Sequence, residues 1–558
     1  MPTRLFSRLP LERILILASV ALGFLHSWVG RYAMNPDGIS YLDVGDSFFR
    51  HDWAVAVNAW WSPLYPWTMG LVLGMAKPST AWEFPLVHLV NFGVFVASLF
   101  AFRFLLHSLL EFVREQHSAA LPEWALTLLA YPVFLWIALE VETVYDVSPD
   151  LAVMACFCWA AGMLLRLRPG DAMTRFALLG LILGIGYWAK SILFPLGFVT
   201  LFVGYLWRRS SPGWARGMAL AAMVFVCSAA PLIIWLSHQK GRFTFGDSGK
   251  VNYAWAVSPR TFTRNWQGEE AGSGIPAHAT RQLLRHPPLF EFDGPVVGTY
   301  PPWTDPSYWN EGLQWHFKLK AQMEVLATTV PSEARLLIRE RPELVAGVII
   351  LALLGGQLWL AALRKLWPFI VLPLVGMGLY LPLIENDRYL GGFVLLLFLA
   401  LLAAVRLHPD AQKSAAYVAF AVFMMMAAGT ADYTVRIVMH HLAIPGNGPS
   451  SAVPEIIAAE KLARMGAGPG TKVAVIGDGT GAYWAQLAKL RIVAEIMGMN
   501  HGPREFWGAP EEVRQQAYDL FRGAHAKLVV TTCPSCPPGI PPGWEQIQNT
   551  PYCVRRLD

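Results

Sequence analysis

Charge is scarce in this sequence. Only 15% of its 558 residues are Asp, Glu, Lys or Arg, against about a quarter in an ordinary soluble protein. With 54% hydrophobic residues and a mean hydropathy of +0.39, that shortage argues against a soluble globule and for a chain that crosses a membrane several times. The net charge of +5 calls for no nucleic-acid partner; surplus Lys and Arg belong on the cytoplasmic loops of a membrane protein. Cysteine is scarce as well, at six residues. Cys156, Cys158 and Cys227 lie in apolar runs and read as inert. Cys533 and Cys536 form one CxxC with no second pair, which speaks against zinc. Outside the cytoplasm, a disulfide from one of them to Cys553 fits. The full GxGxxG order is missing too: Gly477-Asp478-Gly479-Thr480-Gly481 has alternate glycines and reads as a turn, not a nucleotide site. A lone His51 beside Asp52 is poor ground for zinc. The first apolar run, 14–32, lacks a small-residue cleavage site and reads as a signal anchor.

What the chain does have is apolar runs of spanning length. A membrane helix takes about 20 mostly apolar residues. The runs 13–33, 84–106, 121–140, 149–166, 175–189, 191–207, 216–237, 343–363, 366–384, 389–405 and 414–434 predict about 11 spans. The segment 63–76 is apolar but short and reads as an interfacial or re-entrant helix. Eleven spans put the ends on opposite sides. Arg4, Arg8 and Arg13, Arg103 and Arg114, Arg166, Arg168 and Arg175, Arg208, Arg209 and Arg216, Arg364 and Lys365, and Arg406 and Lys413 then all fall on the cytoplasmic side, as the orientation rule requires.

The opposite loops collect acid. Residues 35–67 carry Asp37, Asp43, Asp46 and Asp52, then three tryptophans and the block SPLYPW. A second loop carries Glu140, Glu142, Asp146 and Asp150, and a later one Glu385 and Asp387. Carboxylates at the foot of a membrane helix are costly and mark a functional site. Asp37 is the first candidate, as a general base: a carboxylate near apolar lipid is a better proton acceptor than one in bulk water. Capping of the helix that follows is its ordinary alternative use. Asp43 and Asp46 share a helix face and would bind a cation or a sugar, or simply be solvated. Glu142, Asp146 and Asp150 recur every four residues, so a helix would align them on one stripe. Lys190 and Arg388 stand at outer span ends, where they either snorkel to headgroups or face a developing negative charge. The long loop 238–342 is too aromatic for disorder; Trp255, Tyr300, Trp303 and Trp309 offer flat faces for a sugar ring, or simply pack a lid.

Several of these motifs together resemble the GT-C superfamily of polyprenyl-phosphate-sugar glycosyltransferases, in its protein O-mannosyltransferase and lipid A aminoarabinose transferase branches. They are the first span followed by Asp37 and Tyr41, SPLYPW, SPDLAVMA at 148–155, GIGYWAKSILFPLG at 184–197 and NDRYLGGF at 386–393. Gly38 stands where that pattern has a second acid, and Ser62 where it has a first proline. The resemblance covers about residues 10–430 and leaves loop 238–342 unaccounted for. It implies a bacterial inner-membrane enzyme with a cytoplasmic N-terminus. The donor would be a polyprenyl-phosphate sugar and the acceptor a hydroxyl of a lipid, glycan or protein on the periplasmic side. Inverting transfer would use Asp37 as base and Lys190 and Arg388 as the phosphate clamp. Tyr41, Asp43, Glu142, Asp146, Asp150 and Glu385 remain candidates for substrate, or for Mg²⁺ or Mn²⁺, which favour such oxygen ligands; no nucleotide is needed.

The tail, 450–558, is more polar. TKVAVIGDG reads as a buried strand and turn, 481–497 as helix and strand, 511–522 as helix, KLVVTT as a further strand and WEQIQNTPYCVRRL as a closing hairpin. The expected architecture is an α-helical polytopic membrane protein, 1–434, with outer loops 34–83 and 238–342 and a small periplasmic C-terminal α/β domain. The competing classes are a lipid or polysaccharide transporter or flippase, and a non-catalytic envelope assembly protein. Internal repeats and mid-span charges would mark the transporter, and neither is evident.

Overall fold

The structure is a computed structural model that describes residues 11–116, 120–257, 264–383, 386–443, 453–498, 501–532, 540–548 and 550–557. Arg4, Arg8, Glu385, Cys533 and Cys536 lie outside the described residues. Contacts divide the chain into two compact units.

The first unit comprises Met1–Val29, Asn91–Tyr253 and Phe317–Met439 and is helical. Among the described residues, five helices are long and apolar enough to cross a membrane: Leu11–Val29, Thr80–Glu115, Glu123–Val141, Trp214–Lys240 and Pro409–Leu442. Six result if Pro342–Gly355 and Gln357–Lys365 count as one span. The expectation of about 11 is therefore corrected. Met173–Ala189, Leu193–Arg208, Pro368–Tyr380 and Gly391–Ala403 are apolar but hold 17 residues or fewer. At about 1.5 Å per residue they fall short of a hydrocarbon layer about 30 Å thick. The run 343–363 is not straight either. It bends by 108° at Gly356, whose φ of 50° and ψ of −127° suit glycine alone. The alternation of basic loops rested on eleven straight spans and loses that support.

Small residues bring these helices together. A Cβ on Gly180 would lie 2.2 Å from the carbonyl oxygen of Ala221, and one on Gly184 would lie 1.8 Å from Ser228 Oγ. Glycines four apart thus let Met173–Ala189 lie directly on Trp214–Lys240, the usual device where lipid gives no hydrophobic drive.

The second unit comprises Gly30–Val90, Ala254–His316 and His440–Asp558. Its sheet has seven strands in the order β1-β2-β4-β3-β5-β7-β6: β1 (Arg281–Leu284), β2 (Leu289–Glu291), β3 (Lys472–Gly477), β4 (Arg491–Met497), β5 (Leu528–Thr532), β6 (Glu545–Gln546) and β7 (Tyr552–Arg556). The three central strands are parallel and the outer pairings antiparallel. Both faces are covered, which is why VAVIG reads as one continuous apolar run. Val473 and Val475 join Tyr300, Trp309, Trp484 and Ile492 on one face. Ala474 and Ile476 join Phe506, Phe521 and Trp544 on the other.

The strands and the two helices foreseen in the tail are present, with two further helices, Pro454–Arg464 and His501–Gly508. The sequence did not show that the loop before residue 342 supplies β1 and β2 to this sheet. Cys553 is disulfide-bonded; Cys156, Cys158 and Cys227 are free.

Helix Pro36–Phe49 packs on Leu64–Ala76 through glycine on both sides: a Cβ on Gly70 would stand 1.9 Å from the Gly45 carbonyl oxygen. No rotamer relieves a backbone clash. Gly70→Ala is therefore expected to destabilise the unit by about 1–3 kcal/mol, read as a lower melting temperature with the secondary structure retained.

Candidate functional site

In the helical unit, three apolar helices end at one charged cluster. Lys190 follows Met173–Ala189 in extended backbone, which takes its side chain out of the helical row. Asp150 opens Asp150–Arg166, and Arg388 lies in the short turn Asp387–Tyr389 just before Gly391–Ala403. The Asp150 carboxylate takes both cations. Lys190 Nζ donates to Oδ1 at 2.6 Å, and Arg388 Nε lies 3.4 Å from Oδ2. The Tyr389 ring backs the pair, 3.7 Å from Lys190 Nζ and 5.2 Å from Arg388 Cζ, and stacks on Tyr380.

Burial works against the Lys190 charge, but Asp150, Tyr380 and Tyr389 outweigh it and hold the ammonium above its ordinary range. Beside them Glu142 is 2% exposed. Burial first, then the Asp150 charge, pushes its carboxyl well above the usual range, against Lys190 and the Gly392 N–H. Tyr380 and Tyr389 were not singled out from the sequence, although a tyrosine next to Arg388 in NDRYL was the available signal.

One expectation about this loop is corrected. Glu142, Asp146 and Asp150 do not share a helical stripe. The helix runs into a π-turn, Ile137–Val141, and the chain then reverses at Thr143, φ 52°. The reversal still brings Glu142 into the field of Asp150. Asp146 accepts from Asn91 Nδ2 through its backbone carbonyl.

In the second unit Asp37 stands in the first turn of Pro36–Phe49, half-buried. It is not the cap, as the capping alternative had it. Asn35 caps that helix, accepting from the Gly38 N–H at 2.7 Å. The Trp303 indole N–H donates to its Oδ1 at 3.3 Å. Around this pair lies a group of indoles: Trp255 stacks on Trp303 with centroids 6.3 Å apart, and Trp60 is 5.2 Å from Trp255 and 6.0 Å from Trp303. Trp60 and Trp303 keep part of their surface open, whereas Trp255 is buried. Tyr300 and Trp309 are 1% and 5% exposed and belong to the core under the sheet. They are packing residues, because a ring buried on both faces offers none to a sugar. Tyr41 is likewise buried between Trp61 and Tyr65.

Asp43 is engaged in structure. Its carboxylate accepts from the Thr299 N–H at 2.7 Å, Thr299 Oγ1 at 2.8 Å and Thr304 Oγ1 at 3.2 Å. Thr299 and Thr304 went unnoticed in the sequence; they flank the aromatic block. Burial, only partly offset by these bonds, pushes the Asp43 pKa up to about 6. A carboxyl whose folded pKa is raised favours folding most fully below its unfolded value of 3.8, and that contribution is lost as pH rises through the folded value. Acidification from pH 6 to pH 4 is therefore expected to stabilise this unit through Asp43, and Asp43→Asn to flatten that segment of the stability–pH curve. Asp46 is exposed and pairs with Arg50 at 2.9 Å, the solvated role. Gly477-Asp478-Gly479-Thr480-Gly481 is a turn capped by Asp478, and a Cβ on Gly479 would strike the Tyr300 ring. No group of three or more His, Cys, Asp or Glu that could hold a metal occurs among the described residues.

A helical unit with helices of membrane-crossing length, with a carboxylate-held cation pair at its helix ends, and a unit built on an open sheet define a polytopic α-helical membrane protein. Two crystal structures of ArnT from Cupriavidus metallidurans have this fold. The one bound to undecaprenyl phosphate aligns at TM-score 0.50 and 10% identity, covering 98% of this chain and 98% of that one. The apo form aligns at 0.50 and 11%, covering 93% and 92%. An Archaeoglobus fulgidus oligosaccharyltransferase aligns more loosely, at 0.45 and 12% over 94% of this chain and 68% of its own. No family model matches the chain, and no curated protein matches it in sequence.

Proposed function

We propose that this chain is a membrane glycosyltransferase that moves a sugar from a polyprenyl-phosphate carrier to an acceptor hydroxyl, with inversion, at the outer face of a bacterial inner membrane. The observation that carries the reading is the meeting of Lys190 and Arg388 at the carboxylate of Asp150. Two cations gathered at the ends of apolar helices offer the point charge and the planar fork of donors that a phosphate monoester takes. The fold supports the reading, since a protein of the same architecture binds undecaprenyl phosphate.

In the proposed reaction the acceptor oxygen attacks the anomeric carbon, the bond from that carbon to the phosphate oxygen breaks, and Asp37 takes the acceptor proton. Lys190 and Arg388 stabilise the charge that collects on the leaving carrier phosphate. Trp60 and Trp303 lie beside Asp37 with open ring surface and are proposed to bear on a sugar face. No step passes through a metal or a nucleotide. The test is incubation of the purified full chain with undecaprenyl-phosphate hexose, pentose and aminosugar donors. Release of undecaprenyl phosphate with matching glycosylation of a lipid, glycan or protein fraction is expected. A chain that binds the carriers and turns over none of them contradicts the reading.

A further inference from the structure

Asp37 is tied to the C-terminal sheet through a short run of backbone. Besides the bond from Trp303 to Asp37, residues 299–304 bond four side chains of helix Pro36–Phe49 and the segment after it. Asp43 holds Thr299 and Thr304. Ser40 Oγ donates to the Trp303 carbonyl at 2.7 Å, Trp61 Nε1 donates to the same oxygen at 3.2 Å, and Asn58 Nδ2 donates to the Thr304 carbonyl at 3.3 Å. The same run is fastened to β4. The Ile492 N–H donates to the Thr299 carbonyl at 2.9 Å, so one peptide unit away from its bond to Asp43 this residue is part of the sheet's hydrogen bonding. Tyr300 sends its hydroxyl to Glu495 Oε1, and its ring lies against Gly479 in the turn after β3. Glu495 is fully buried in mid-strand and also accepts from Asn265 Nδ2 at 3.0 Å. A buried carboxyl in a strand is costly, and here it serves to fix Tyr300.

We propose that residues 299–304 are a positioning strap, anchored on β4 by Tyr300 and Glu495, that sets the place of Asp37 through Trp303. The C-terminal sheet is then part of the catalytic machinery and not a separable recognition module. Trp303 gives the strap its direct hold, the indole N–H on Asp37 Oδ1. Tyr300 lies three residues before it, joined by the turn Pro301–Thr304, in which the Trp303 N–H bonds the Tyr300 carbonyl at 3.0 Å. A shift of Tyr300 is passed to Trp303 through that turn. The inference rests on the reading of Asp37 as the base.

The test uses the full chain in nanodiscs, with Tyr300→Phe, Glu495→Ala and Glu495→Gln. Amide hydrogen exchange is the first readout, because it needs no substrate. Tyr300→Phe and Glu495→Ala are expected to speed exchange at residues 37–42 and 299–304 roughly five- to tenfold, with β3 and β5 unchanged. Glu495→Gln keeps an acceptor for the Tyr300 hydroxyl and should stay near wild type. Turnover of the undecaprenyl-phosphate sugar panel is the second readout: kcat is expected to fall roughly 10- to 100-fold in the two disrupting variants, with donor KM unchanged. Unchanged exchange at 37–42, or equal loosening of β3 and β5, overturns the strap. A wild-type chain that turns over no donor while the exchange pattern holds overturns the transferase reading and spares the mechanical link.

Discussion

Asp37→Asn lowers sugar transfer by roughly 10²- to 10⁴-fold, the range a general base supplies, and leaves carrier binding intact. The substitution is close to isosteric. Asn keeps a carbonyl oxygen where the Trp303 indole donates, and Asn35, not residue 37, caps the helix. Fold and helix start should therefore survive, and the loss should fall on kcat and not on donor KM. Melting temperature and undecaprenyl phosphate affinity are the controls. A variant with full turnover removes Asp37 from the chemistry, whatever its place in the fold.

Lys190→Met and Arg388→Met are each expected to weaken undecaprenyl phosphate binding by roughly 10- to 100-fold, since a hydrogen bond to a charged group contributes about 1.5–3 kcal/mol. The two effects should not add, because both cations share Asp150 and neighbours in one network couple. Arg388→Lys should not restore binding, since an ammonium cannot reproduce the planar fork of a guanidinium. Lowered ionic strength should not rescue either variant, because the pair is largely buried and weakly screened. Equal affinity for carrier in all three variants would leave snorkelling as the role of these side chains.

The charged cluster was the more legible part of the site. Lys190 and Arg388 are rare charges at the ends of apolar runs, so their burden is visible from composition alone. Their shared partner was visible only as one of three acids placed on a stripe that does not exist. The helix stops at Val141 and Thr143 takes a left-handed conformation, and nothing in VETVYDVSPD announces that reversal. Around Asp37 the aromatics were legible as a group but not one by one. Trp303 and Trp309 lie six residues apart in the same block. One keeps open surface beside Asp37, and the other is shut into the core under the sheet. Which is which depends on β2 pairing with β4 across some 200 residues of chain, a long-range pairing that no local pattern encodes. The span count failed for a local reason: apolarity marks a helix as buried, and only length marks it as spanning.

The central claim is that the carrier phosphate sits on the cation pair, and a structure of the full chain with undecaprenyl phosphate tests it most directly. The account predicts phosphate oxygens about 2.7–2.9 Å from Lys190 Nζ and from the Arg388 guanidinium. A phosphate found elsewhere, with Lys190 and Arg388 still closed on Asp150, would contradict it.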